Sequence, residues 1–539
     1  MLTKAELSEL RGKLFRHLDG IAIAASAHTL HAKGVTSALM VTGGSPLSDL
    51  TAQFRANEGY LNVALRLLAS QGWLEMKVDN DSNQVIYSIN ERSEIAFSLF
   101  HHYSGHVELM QLGALYHPRK FERDPFLKLK SLMDEFRALR KQNPMPTELE
   151  EAIRQQVLFH LEGLIVGPSV VHLGMGGMFH KYFMQASFRP EEYHEDADSF
   201  SVLLDFFTDV GWFEKRTETY RFTETGLFFA RRASAYGVTV SYIPTFRAVD
   251  ELVFGNPRTL DSKPGENEKH VDREMNVWGS GGAHSTYFDR VDDILIELFS
   301  RPIHEQPSGV LDMGCGNGAF LRHIYETIEK RTPRGAVLNE HPLILVGVDY
   351  NHAALNVTRA NLIKSDIWAK VIWGDISRPD LLATNLEQDY GIELGHLLNV
   401  RTFLDHNRIW KNPEHIFSRS STSTGAFAHK GRRLNPNLVE DNLREHLTAW
   451  MPYVQRYGLL LIELHTIHPS LTASHLGRTA ATAYDSTHGF SDQYILEVES
   501  FYSVAAQAGL FPDPRLFAKY PDSDLATVTV ALLQGGEKQ

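Results

Sequence analysis

Three things are scarce in this chain. Cysteine occurs once, as Cys315, which rules out an internal disulfide framework and fits a reducing compartment. Basic residues fall short of acidic ones, 53 against 66, for a formal charge of −13. Wrapping a nucleic acid needs a basic surface, so no nucleic-acid partner is expected. Long apolar runs are the third shortage. None reads as long enough to span a bilayer, and "MLTKAELSELRGKLFRHLDG" reads as a charged amphipathic helix without the apolar core of a signal peptide. The expectation is a cytoplasmic protein with no membrane partner.

A chain of 539 residues exceeds one ordinary core and implies three or four domains. Its first part repeats a pattern. "LNVALRLLASQGWLEMKVDNDSNQVIYSIN" from Leu61 and "FSVLLDFFTDVGWFEKRTETYRFTETG" from Phe200 each predict an amphipathic helix, a Gly-Trp corner and a short β-hairpin. Helices are expected to start before each unit near the glycines of "GIAIAASAHTLHAKGV" and "GLIVGPSVVHLGMGGM". Helices ending in a small hairpin follow the plan of a winged helix. The sparse Lys and Arg content favours a capping or dimerisation module over a groove reader, and a homodimer is compatible with it. The expected units are 1–135 and 136–260.

Residues 261–290 are polar and rich in Gly and Ser, yet hold Trp278, His284, Tyr287 and Phe288. They read as an ordered flap. From 291 to 539 strands alternate with helices, the pattern of an α/β core with a Rossmann-like parallel sheet. The expected strands are "GVLDMG", "LILVGVDY", "KVIWGDI", "HLLNVRTFL" and "GLLLIELHTI", closed by "RLFAKYP" and "ATVTVALLQ".

The first of these strands runs into "LDMGCGNGAFL". Glycines at 314, 316 and 318 let a ligand approach bare backbone at the sheet edge where open α/β folds bind. The spacing G-x-G-x-G, with Asp312 two residues earlier, differs from the dinucleotide pattern G-x-G-x-x-G. It resembles motif I of the class I S-adenosylmethionine-dependent methyltransferases. That resemblance implies a loop cradling the cofactor's methionyl part, with Asp349 and Tyr350 at the ribose and Asp375 and Ile376 at the adenine. Cys315 reads as a small residue under the cofactor.

The loop after the fifth strand holds His465, His468, His475, Asp485, His488, Asp492 and Gln493. Imidazole and oxygen donors together suit a divalent metal such as iron or manganese; alternatively these side chains only line a polar loop. Four runs, "DREMNVWGSGGAHSTYF", "VLDMGCGNGAFL", "NVRTFLDHNR" and "AYDSTHGFSDQY", together resemble the methyltransferase domain of polyketide loading modules of the apratoxin and saxitoxin type. The resemblance implies a helical lid, a mononuclear metal beside the cofactor, and C-methylation of a malonyl group on an acyl carrier protein. It places the metal on His488 and Gln493, with His465 and Asp485 in reserve. A carrier is expected as a separate chain, or the substrate is a free small acid.

The base is sought among Asp405 and His406, which follow "NVRTFL". Arg401 is a candidate for a substrate carboxylate, or equally a structural ion-pair partner. His284 and Tyr287 are candidates for closing the pocket. Two other readings stay open: metal-free methyl transfer to oxygen, nitrogen or sulfur, and a cofactor-sensing DNA-binding regulator.

Overall fold

The computed structural model describes residues 2–112, 120–181, 186–262, 268–417 and 420–536. The chain forms two compact units. The first holds Met1–Ala283, Ala426–Arg433 and His468–Asp492; the second holds His284–Gly425, Leu434–Ile467 and Gln493–Gln539.

Both Gly-Trp corners exist in the first unit. Helix Glu58–Ser70 turns its buried face, including Leu61, Leu65 and Leu68, into the core. Gly72 breaks it at φ 77°, a conformation costly for residues with a Cβ. Buried Trp73 follows and donates from Nε1 to Gln156 Oε1 at 3.2 Å. Strands β1 (Gly44–Pro46), β2 (Glu75–Asp79) and β3 (Gln84–Ser88) form a small antiparallel sheet, ordered β1-β3-β2. The second corner repeats the plan. Helix Ala197–Asp209 is followed by Gly211 at φ 83° and by Trp212, which stacks on Phe229 at 4.4 Å. Strands β4 (Phe213–Arg216) and β5 (Thr219–Phe222) pair as a hairpin.

The helices expected to start at Gly20 and Gly163 start earlier, at Lys4 and Glu148, each behind a threonine capping box. The glycines instead mark where these helices cross. A Cβ on Gly20 would lie 2.3 Å from His160 Cα, and one on Gly163 2.5 Å from His17 Cα. Close approach, and not helix initiation, explains both residues. Glu148–Met175 also corrects the expectation of no bilayer-length segment. Among the described residues it is the one helix long and apolar enough to cross a membrane, and 83% of its apolar window is buried in the protein's own interior. A helix apolar on all sides is what a central core position demands.

From Arg273 onward the flap is helical. Helix Arg273–Phe299 accommodates the Gly/Ser-rich run because Gly279 packs against another glycine. A Cβ on Gly279 would sit 2.8 Å from Gly237 Cα.

The second unit is built on β6 (Gly309–Met313), β7 (Ile344–Asp349), β8 (Lys370–Trp373), β9 (Leu397–Thr402), β12 (Leu459–Leu464), β13 (Leu510–Pro512), β14 (Ala518–Tyr520) and β15 (Val528–Gly535). The order is β13-β15-β12-β9-β6-β7-β8, with β14 also on β15. Strands β6, β7, β8, β9 and β12 run parallel, and β15 is antiparallel to β12. The expected strands are present; short β13 is additional.

The stretch 291–539 is not one contiguous body. Hairpin β10 (Ala428–His429) and β11 (Arg432–Arg433) folds with the first unit, as does helix Ala481–Gly489 from the loop after β12. Gly59 N–H donates to Gly431 O at 2.9 Å, Ser486 Oγ to Ala22 O at 2.9 Å, and Arg66 Nε to Asp485 Oδ2 at 2.9 Å.

Candidate active site

The turn after β6 is held from beneath. Gly314 N–H and Cys315 N–H both donate to Val348 O, at 2.7 and 3.0 Å, and Gly316 N–H donates to Asp349 Oδ2 at 3.0 Å. Gly314, Gly316 and Gly318 have φ of 80°, 54° and 77°. The turn therefore needs glycine at all three points. Helix Ala319–Arg331 follows, with Asn317 Oδ1 accepting from Ala319 N–H at 3.0 Å. Cys315 lies under the loop, its Sγ 3.2 Å from where Gly347 would carry a Cβ. Burial, then the neighbouring Asp312, push its thiol up to about 12, which leaves it protonated and unsuited to nucleophilic work.

Asp312 is almost wholly buried at the end of β6. Burial and the nearby Asp349 push its carboxyl up to about 7. Asp349 ends β7 and also accepts from Asn351 N–H at 2.8 Å. A carboxylate is an acceptor-only group with about four lone-pair sites, the chemistry that a ribose diol requires of its partner. Tyr350 is exposed and lies beside Trp373, with ring centroids 5.5 Å apart. Asp375 follows β8 and accepts from Ser377 N–H at 2.8 Å, while Ile376 O takes the Trp450 Nε1–H at 2.8 Å. Asp312, Asp349 and Asp375 thus follow one another along the C-terminal ends of β6, β7 and β8. This backbone fits a cofactor with a diol and a cationic amino-acid end.

Beyond β9 the two adjacent base candidates part ways. His406 Nδ1 meets Glu463 Oε1, and both side chains are buried. Glu463 also accepts from Leu464 N–H at 2.8 Å and Asp405 N–H at 3.1 Å. The carboxylate is therefore fixed, and an Nδ1–H donating to it makes Nε2 the basic nitrogen of the neutral ring. Asp405 is not such a base. Burial alone would raise its pKa, but Arg401 and His446 outweigh that and hold the carboxyl well below the usual range. Arg401 is fully buried, pairs with Asp405 at 2.5 Å and lies over the Trp450 ring at 4.1 Å. It is an internal ion-pair partner and not a receptor for a substrate carboxylate.

Glu463 and His446 were absent from the sequence candidates. A signal for Glu463 existed: an acid inside the apolar run "GLLLIELHTI" is costly to bury unless paired.

The reserve metal ligands do not fit. His465 Nδ1 meets Leu496 O at 3.1 Å and Nε2 meets Thr529 Oγ1 at 2.8 Å. Both ring nitrogens are thus engaged, and burial pushes the imidazole down to about 3. Asp485 is committed to Arg66 in a buried pair. His488 Nδ1 lies 2.8 Å from Tyr484 O and 2.9 Å from Thr487 Oγ1, and a bond at Nδ1 is the kind that fixes the tautomer of a metal-binding imidazole. Gln493 is buried, as is His488. Among the described residues no group of three or more His, Cys, Asp or Glu side chains is placed to hold a metal.

Tyr287 meets two rings edge-on, Phe403 at 6.1 Å and Tyr520 at 4.9 Å between centroids. The His284 side chain lies outside the described residues.

Three family models match the chain in order. Residues 10–76 match the AprA N-terminal domain and 162–256 the AprA winged helix domain. Residues 268–531 match the AprA MT2-like domain, a methyltransferase family. Residues 268–531 belong to the AprA MT2-like family. With its glycine loop and strand-end acids, the chain is an S-adenosylmethionine-dependent methyltransferase. The winged-helix match covers the second Gly-Trp unit. No curated protein matches the chain. Among solved structures, the mitomycin 7-O-methyltransferase MmcR aligns at 11% identity and TM-score 0.43, covering 71% of this chain and 98% of that one. CalO1, a methyltransferase in calicheamicin biosynthesis, aligns at 13% and 0.38, covering 73% and 100%. An O-methyltransferase family protein from Burkholderia thailandensis aligns at 12% and 0.37, covering 68% and 94%. At these TM-scores the likenesses bear on neither substrate nor mechanism.

Proposed function

We propose that this enzyme methylates the acidic carbon of a malonyl-type acyl substrate in natural-product biosynthesis, with assistance from a divalent metal. The observation that carries the reading is the His406–Glu463 pair, one short turn from the segment that covers the glycine loop. Carbon is a poor nucleophile until a proton leaves it, and a carbon between two carbonyls is acidic enough for an imidazole base. His406 takes that proton at Nε2. Glu463 holds the ring and stabilises the imidazolium, as the buried carboxylate of a catalytic triad does. The loop Gly314–Gly318 and Asp349 hold the cofactor, which supplies the electrophilic methyl group. A divalent metal, when bound, would polarise the dicarbonyl oxygens. The substrate is a free small acid or is delivered on an acyl carrier protein from a separate chain.

Mass spectrometry with trideuteromethyl-labelled cofactor tests this. A malonyl thioester and a malonyl carrier protein are incubated in parallel with manganese, iron or a chelator. Label on the central carbon, lost with the chelator, is the expected result. Label on oxygen, nitrogen or sulfur of an offered substrate, unaffected by chelation, would overturn the reading in favour of a metal-free enzyme.

A further inference from the structure

Phe403 has a backbone conformation that its side chain disfavours. It sits at φ 54°, in the left-handed region where a bulky residue is a strained outlier. The conformation is fixed by Phe403 N–H donating to Ile462 O at 2.7 Å. One residue on, Leu404 lies over the cofactor loop, with Cδ2 3.1 Å from where Gly314 would carry a Cβ. Two residues further stands His406, the base. The kink at Phe403 therefore opens the short step between cofactor loop and base, which a transferred methyl group must cross.

The ring at this step is propped. Tyr287 from the flap helix meets Phe403 edge-on at 6.1 Å, and Tyr520 from β14 meets Tyr287 edge-on at 4.9 Å. Tyr520 pairs with Val528, which pairs with Leu464 at the end of β12. All three rings thus stand at the C-terminal edge of the sheet. Phe403 itself is only half-buried. Strain, a ring brace and partial exposure at one residue beside the glycine loop are the marks of a surface kept ready for a ligand.

We propose that Phe403, braced by Tyr287 and Tyr520, is the aromatic wall against which the cofactor's sulfonium lies, and that it makes the enzyme prefer the cationic cofactor to the neutral product, S-adenosylhomocysteine. The physical basis is the negative face of an aromatic ring, which attracts a cation and ignores its uncharged counterpart. The two molecules differ by one methyl group and one positive charge, so a wall that reads the charge eases product release after transfer. The proposal rests on the cofactor lying at the glycine loop and Asp349.

The test is calorimetry of the full-length protein with each molecule. Phe403→Leu removes the ring. Phe403→Asn also removes it, with a residue that tolerates positive φ, so the backbone is retained if leucine disturbs it. Both variants should lose roughly two- to thirty-fold in affinity for S-adenosylmethionine and little for S-adenosylhomocysteine. Phe403→Tyr should keep the preference. Equal loss for both molecules, or no loss for either, overturns the proposal, since a merely structural ring would move both together. Asp349→Ala tests the underlying site separately: it should weaken both molecules alike, and unchanged binding of both would remove the site reading itself.

Discussion

Arg66 and Asp485, 419 residues apart, form a buried ion pair at 2.9 Å. Arg66 lies on helix Glu58–Ser70 and Asp485 on helix Ala481–Gly489, one turn before His488. Arg66→Ala strands a charge in the core and should cost about 3–5 kcal/mol. Replacing the pair together, as Arg66→Met with Asp485→Leu, should cost far less. Urea unfolding of the full chain checks both, and a single variant within about 1 kcal/mol of the parent would show that the pair is not desolvated in solution.

Asp312 predicts a pH dependence of cofactor binding. Its folded-state pKa of about 7 lies above its ordinary 3.8. The folded protein therefore keeps a proton that the unfolded chain has lost, and the group's contribution to stability falls as pH rises from about 4 to 7. A bound cation favours the carboxylate. Binding below pH ~7 should release a proton, and affinity should rise as pH passes through neutrality. Titration calorimetry in two buffers of different ionisation enthalpy reads the proton directly, and Asp312→Asn should abolish the difference.

Removal of the base should act on turnover more than on binding. His406→Ala is expected to lower kcat by roughly 10²–10⁴-fold with little change in cofactor affinity. Glu463→Gln keeps the shape but loses the charge that supports the imidazolium. It should lower kcat with little change in cofactor affinity. An unchanged kcat would leave Glu463 with a packing role only.

His488→Ala should remove manganese or iron from the purified protein, measured by elemental analysis, without changing S-adenosylmethionine affinity. Full metal content in this variant would eliminate His488 as a ligand.

Local rules were legible where local causes rule. The glycine loop is set by three positive-φ positions, and the two Gly-Trp corners by the switch from helical to alternating spacing; both show in sequence. Gly20 and Gly163 misled because glycine also serves close helix contact, and which glycine does so depends on a partner some 140 residues away. Asp405 and His406 are neighbours in the chain, yet one is neutralised by Arg401 and the other oriented by Glu463. No sequence pattern separates them, because the difference lies in which strand supplies the partner. The metal reserves failed likewise: His465 and Asp485 have suitable chemistry, but Thr529 and Arg66 engage them.

The interleaving of the chain also bears on its biosynthesis. Domains generally fold as they emerge, N-terminal first. Here the helical unit needs His468–Asp492, which is translated after the five parallel strands β6 to β12. The part made first must wait for the part made late, with the socket for Asp485 beside Arg66 open meanwhile. The packing of the N-terminal half is therefore complete only after residue 492 has been made.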